Sequence, residues 1–234
     1  MNYNWDWGIL FHAPYMGWLL SGAGLTLLVT GASWIIALVM GLTIGTMRGL
    51  PWWPARFVAG VYVELFRNIP PLVQLFLWFF VFPQLLPHAA GMWVKRDMPY
   101  PEATTTAVAV GLFSGARVAE QVRAGVETVV RRLLPAALAT GLTQLQAYRL
   151  ILLPIALRRI VAPLTSELLI AAKMSSIGLT IGLMELTAES REIENYTFHG
   201  FEAYAAATVI YLAIGLAITA VMARLETRLR RGMG

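Results

Sequence analysis

No Asp, Glu, Lys or Arg occurs between Asp6 and Arg48, between Arg67 and Lys95, or between Glu202 and Arg224. These uncharged runs constrain the fold more than any other feature, because roughly 20 apolar residues suffice for a helix to cross a bilayer. They sit in an apolar background: 58% of the 234 residues are hydrophobic and 13% are charged, against about 25% charged in a soluble domain. Lipid is the expected solvent. Inside lipid only helices or closed barrels satisfy every backbone N–H and C=O, and the alternating pattern of a barrel strand is absent. The runs therefore read as helices.

The net charge of +5 and pI near 9.8 do not point to nucleic acid, because the basic residues lie at the ends of hydrophobic segments instead of forming a stripe on a soluble face. Without cysteine, disulfides, thiol catalysis and cysteine metal sites are excluded, and the redox compartment stays open. Trp5, Trp7, Trp18, Trp52, Trp53 and Trp93 stand beside span ends, as in an interfacial aromatic belt. The opening residues lack the positive region of a signal peptide, so the first hydrophobic segment is expected to remain in the mature protein.

Five spans are expected, at about 19–47, 58–86, 103–123, 157–183 and 203–223. An outer interfacial segment, 1–18, precedes them and a basic cytoplasmic tail, 224–234, follows. With the N-terminus outside, the inner segments 48–57, 117–159 and 224–234 hold 13 of the 18 Lys and Arg residues. The outer segments hold Asp6, Asp97, Glu102, Glu185, Glu189, Glu192, Glu194 and Glu202. The positive-inside rule selects this orientation, with the C-terminus cytoplasmic.

Two spans are imperfect. The third reaches Arg117, Glu120 and Arg123 at three-residue intervals on one helix face. Either the helix runs into the cytoplasm with a salt-bridged end, or Arg117 and Glu120 mark the inner mouth of a pathway, since charges at membrane depth face protein or water. The fourth carries Pro163, Glu167 and Lys173, then Ser175, Ser176, Gly178 and Gly182. Such a helix should kink or break, and broken helices at membrane depth line cavities. Lys173 has a second reading, as a snorkelling or paired structural charge. Gly41, Gly45 and Gly49 recur at the spacing of close helix packing. Glu185 and Glu189, four residues apart, read as a solvated helical face.

Catalytic chemistry is missing. Of the two lysines, Lys95 and Lys173, neither lies in a phosphate-cradling glycine loop, so any ATP chemistry belongs to another subunit. His12, His88 and His199 are far apart and form no metal-ligand spacing. No serine has a nucleophile-elbow context.

Between the third and fourth spans, Arg131 to Arg159 reads RRLLPAALATGLTQLQAYRLILLPIALRR. A short helix is expected to open with Pro135 in its first turn and stop at Gly141; Gln144 to Leu153 then forms a second segment ending before Pro154. A compact helix with small residues suits a groove on a partner. A bare linker is the other reading, though the stretch is neither polar nor rich in Gly and Ser.

This stretch resembles the cytoplasmic coupling motif of ABC importer permeases, through Ala136, Ala137, Gly141, Tyr148, Leu153 and Pro154. The run Glu64 to Leu75, ELFRNIPPLVQL, resembles the second-span signature of the polar amino acid subfamily. Ala119, Glu120, Arg123 and Gly125 fit its Ala-Glu-x-x-Arg-x-Gly pattern, and Ser166, Glu167, Leu168, Lys173, Ser175, Ile181 and Gly182 its later one. The resemblance runs from about Ser21 to Ala223. The opening NWDWGIL and Gly91-Met92-Trp93 are most similar to glutamate/aspartate permease subunits. One departure stands out: Pro135 occupies the place of the family's coupling glutamate, with Arg132 and Leu133 in place of the usual Gly-Gln.

The resemblance implies an all-α integral membrane protein with the five-helix type I importer permease domain at 19–223 and a coupling segment at about 131–154. It implies import of a polar amino acid, glutamate or aspartate, by alternating access, with glutamine, histidine and basic amino acids as alternatives. It implies a second permease subunit, homologous but not identical, two cytoplasmic ATPases carrying ATP and magnesium, and a periplasmic binding protein; no cofactor or metal belongs to this chain. Ala136, Ala137, Gly141 and Leu142 are the expected ATPase contact. Arg67, Arg117, Glu120, Glu167, Lys173, Ser175 and Ser176 are the candidate path. A channel or scaffold without ATP coupling, and a membrane enzyme, are the competing classes.

Overall fold

The computed structural model describes residues 3–49 and 52–231. Positions 50–51, in the first expected inner segment, and 232–234, at the end of the expected tail, lie outside the described residues. Every regular element among the described residues is helical. A short 3-10 turn, Trp7–Phe11, leads to α1 (Tyr15–Gly49), α2 (Trp53–Asn68), α3 (Pro71–Phe76), α4 (Phe82–Leu85), α5 (His88–Arg96), α6 (Pro101–Ala139), α7 (Gln144–Ala147), α8 (Leu153–Met174), α9 (Leu186–Thr197) and α10 (Gly200–Arg231). By length and composition α1 and α10 can each cross a membrane, and the number of candidate spans rises to 4 if two bent helix pairs are each taken as one.

Prolines decide where these helices change. Ile69 (ψ 130°) and Pro70 (ψ 135°) are extended between α2 and α3, because a residue followed by proline is pushed out of the helical region. The expected second span is thus two helices with a break at Ile69-Pro70-Pro71. Two π-helical runs, Leu77–Val81 and Tyr148–Leu152, each end two residues before a proline, Pro83 and Pro154. A wider turn accommodates a ring that lacks an N–H and crowds the carbonyl four residues back. Pro154 therefore does not end the segment before it.

The chain divides into two compact units. The first contains residues 3–34, 70–111 and 170–217. Leu10, Leu19, Leu186, Ile193, Ala203 and Ala207 form one apolar cluster there; Val29, Ala103, Ala107 and Leu183 form another. The N-terminal segment is tied to α10: the Tyr3 hydroxyl donates to Glu202 Oε2, and the Asp6 N–H donates to Oε1 at 2.8 Å. Trp5 and Trp7 stack beside it and stay exposed.

In the same unit the α8 helix gives way at Met174 to a 3-10 stretch, Ser175–Ile181, closed by Gly182 at φ 93°. The break falls in the Ser-Ser-Ile-Gly run, while Pro163 stays inside α8. Glu185 then caps α9, accepting from the Thr187 and Ala188 N–H groups at 3.0 Å each. The Tyr211 hydroxyl at 2.6 Å and the Thr26 hydroxyl at 3.4 Å also donate to it. Glu185 is fully buried and Glu189 is 9% exposed, so the solvated face expected for these two carboxylates is incorrect. One of them serves as a helix cap whose donors replace water, which is why it tolerates burial.

The second unit contains residues 35–49, 52–69, 112–169 and 218–231. Ile44, Ala59, Val63 and Ala119 pack together, as do Val129, Leu152 and Ala156. Gly41 and Gly45 seat α1 on α6: an added Cβ would lie 2.3 Å from Val118 Cγ1 at Gly41 and 2.8 Å from Val122 Cβ at Gly45. Gly49 has nothing within 4 Å, so the packing reading applies to the first two glycines only.

Candidate functional site

The second unit gathers the charges. Arg117 on α6 donates from Nε to Glu167 Oε2 at 2.7 Å and from Nη2 to Oε1 at 3.0 Å, while Gln121 Nε2 donates to Oε1 at 2.7 Å. Glu167, on α8, is 2% exposed. Buried carboxylates need such compensation, and a guanidinium fork supplies two parallel charge-assisted bonds. The Arg117 guanidinium also lies 5.9 Å from the centre of the Phe113 ring.

Glu120, one turn below Arg117 on the same helix, is a separate hub. Arg48 contacts its Oε1, Arg67 Nη1 lies 3.8 Å from Oε2, and Arg123 Nη2 lies 3.3 Å from Oε2. Arg123 and Arg131 then share Glu127. Arg123, Glu127 and Arg131 form a salt-bridged stretch along α6, whereas Arg117 is fixed to α8 through a buried carboxylate. Arg67, Arg117, Glu120 and Glu167 thus enter two ion-pair groups, with no ion pair between the groups among the described residues.

Lys173, Ser175 and Ser176 belong to the first unit. The Ser175 hydroxyl donates to the Ala172 carbonyl and the Ser176 hydroxyl to the Lys173 carbonyl, both at 2.8 Å. They satisfy the carbonyls freed where α8 ends. Lys173 is exposed and, among the described residues, forms no ion pair. Gln121 and Arg48, which complete the two charge groups, carry no local sequence signal; each meets its partner only through tertiary contact.

The coupling segment differs from its expectation at both ends, since its second helix continues through Pro154 into α8. Pro135 lies inside α6, which runs unbroken to Ala139, so Ala136 and Ala137 end a 39-residue helix and do not form a separate short one. Pro135 costs its helix one hydrogen bond at an exposed position near the end, where the loss is small. Gly141 adopts φ 87°, left-handed, just past the helix, the stop expected of it. Leu142 precedes Thr143, whose side chain and that of Gln146 form a reciprocal capping box on α7. Ala137 is buried, whereas Leu138, Leu145 and Leu150 are 44%, 78% and 62% exposed. A turn with three exposed leucines offers apolar contact to a partner. Among the described residues no group of three or more His, Cys, Asp or Glu is placed to hold a metal ion.

Comparison with known proteins matches the sequence from residue 37 to 231 to the family of binding-protein-dependent transport system inner membrane components. The chain is 42% identical to the Escherichia coli K12 glutamate/aspartate import permease protein GltJ, over 98% of this chain and 97% of that one. It is 32% identical to the E. coli K12 glutamine transport system permease protein GlnP, covering 96% and 98%. The glutamate/aspartate import permease protein GltK of E. coli O6:H1 is 30% identical, covering 97% and 99%. In structure, the chain resembles the crystal structure of an amino acid ABC transporter with histidines, at TM-score 0.80 and 29% identity, covering 97% of this chain and all of that one. An inward-facing MetNI methionine ABC transporter shares the fold at TM-score 0.71 and 22% identity. A family match across most of its length, relatives at 30% identity or more over nearly the whole chain, and helices apolar enough to cross a membrane place this chain in the family of inner membrane permease components of binding-protein-dependent transport systems.

Proposed function

We propose that the chain is the membrane subunit of an ATP-driven importer of glutamate and aspartate. The observation that carries this reading is the 42% identity to a glutamate/aspartate permease over 98% of the chain, ten points above a glutamine permease of comparable coverage. Charge distribution supports five spans with the N-terminus outside and the C-terminus in the cytoplasm. The two pieces on either side of Ile69-Pro70 make up the second span, and the α8 helix with its 3-10 end makes up the fourth.

A second, homologous permease, two cytoplasmic ATPases that bind ATP and magnesium, and a periplasmic binding protein complete the complex. The similarity to GltK as well as to GltJ supports a non-identical membrane partner. The end of α6 and the Gly141 turn meet the ATPase through Ala136, Leu138, Leu142 and Leu145. ATPase closure pushes on this turn, and the long α6 carries the displacement toward Glu120 and Arg117. Rocking of helix bundles then switches access from outside to inside. An acidic substrate crossing low dielectric needs cations. Arg117 meets it by exchanging Glu167 for a substrate carboxylate, and Lys173 is available without exchange.

Reconstitution of the whole complex in proteoliposomes tests the reading. ATP-dependent glutamate accumulation that requires the binding protein is the expected result. ATP-dependent accumulation of glutamine without glutamate would keep the importer and replace its substrate.

A further inference from the structure

In the first unit a cavity of about 290 Å3 opens between the α3 to α4 run, the end of α5 and the first turn of α6. Phe79 and Phe80, edge to face at 5.0 Å, form part of its wall, and Lys95 and Glu102 both line it. Among the described residues neither charge forms an ion pair, with the other or with any third group. The backbone around the cavity is fixed on two sides. Gly91 holds α5 against α4 so closely that a Cβ there would lie 2.3 Å from the Pro83 carbonyl oxygen. Tyr100, at φ 48° between Pro99 and Pro101, sets the start of α6.

Lys95 is exposed and Glu102 half-buried, and Gln84 and Thr105 join the apolar side chains of the lining. An ammonium and a carboxylate that share such a cavity without pairing leave both charges available to a ligand that carries the complementary two. Convergent polar groups on a lining that is otherwise mostly apolar are the usual composition of a small-molecule site. The volume lies just below the roughly 300–1,000 Å3 of such sites, which limits the ligand to a lipid headgroup or a single amino acid. We infer that this cavity binds a small zwitterion, its ammonium against Glu102 and its anionic oxygens against Lys95. Two sources supply that chemistry: a phosphatidylethanolamine headgroup, and a free amino acid on the outer side in the topology proposed above.

The test uses the full chain in phosphatidylglycerol nanodiscs. The lipid arm compares retention of phosphatidylethanolamine with that of phosphatidylcholine, whose trimethylated ammonium has no N–H to donate. The amino acid arm compares binding of glutamate with N-acetylglutamate, which lacks the ammonium. A preference of about tenfold for the free ammonium, the worth of one charge-assisted hydrogen bond, is expected in one arm. Glu102→Gln should abolish that preference, and Lys95→Met should weaken both members of the pair. The arm in which this occurs identifies the source. Absence of the preference in both arms, or its persistence in Glu102→Gln protein with an unchanged unfolding temperature, overturns the inference.

Discussion

Arg117 and Glu167, fifty positions apart in sequence, meet as a two-bond fork of 2.7 and 3.0 Å. Glu167 is 2% exposed and Arg117 is 38% exposed, so the carboxylate depends on the fork more than the guanidinium does. Arg117→Met should lower stability by about 2–3 kcal/mol, below the ~3–5 for removing one partner of a fully buried pair, because the open side of Arg117 is screened. The double variant Arg117→Met, Glu167→Met should unfold at a higher temperature than the single one, since it leaves no orphaned charge. Thermal unfolding in detergent checks this; a double variant less stable than Arg117→Met would show that the pair is not the cause.

The α1–α6 seam gives a sharper contrast. Gly41→Ala places a Cβ 2.3 Å from Val118 Cγ1, and should cost about 1–3 kcal/mol as overpacking does. Gly31→Ala, on the same helix with nothing within 4 Å, should be neutral or stabilising by up to about 1 kcal/mol, the helix propensity difference. Equal effects in unfolding scans would contradict the packing.

Tyr211→Phe removes the 2.6 Å donor to buried Glu185 and should cost about 1–3 kcal/mol, the penalty for a buried acceptor losing a bond. Glu185→Ala should cost more, because the α9 cap is lost with it. Hydrogen exchange of the α9 amides reads the cap directly: exchange should rise at Thr187 and Ala188 in Glu185→Ala and stay slow in Tyr211→Phe.

Gly141→Val forces a branched side chain into φ 87°, straining the turn by about 1–2 kcal/mol or reshaping it. The expected outcome is loss of ATP-driven uptake with the chain still in the membrane and the ATPase still bound. Normal stimulated hydrolysis together with normal uptake would remove the turn from the coupling account.

Much of this was legible in the sequence because lipid imposes strong rules. The first and last uncharged runs mark α1 and α10, Gly141 marks a stop, and the Ser-Ser-Ile-Gly run marks the break after Met174. What escaped depends on distance in sequence. Glu185 and Glu189 have the spacing of an exposed face, and only the arrival of Thr26 and Tyr211 turns the first into a buried cap. Pro135 reads as a helix start, yet the apolar and small residues on both sides of it keep α6 continuous. Arg48 joins Glu120 by tertiary contact alone, which no local pattern encodes.

The central claim is import of acidic amino acids, and uptake of radiolabelled glutamate in cells with and without this chain tests it most directly. The account predicts that removing the chain abolishes an uptake that excess aspartate blocks and that glutamine and arginine do not. Unchanged glutamate uptake, with loss of uptake for another amino acid, would contradict it.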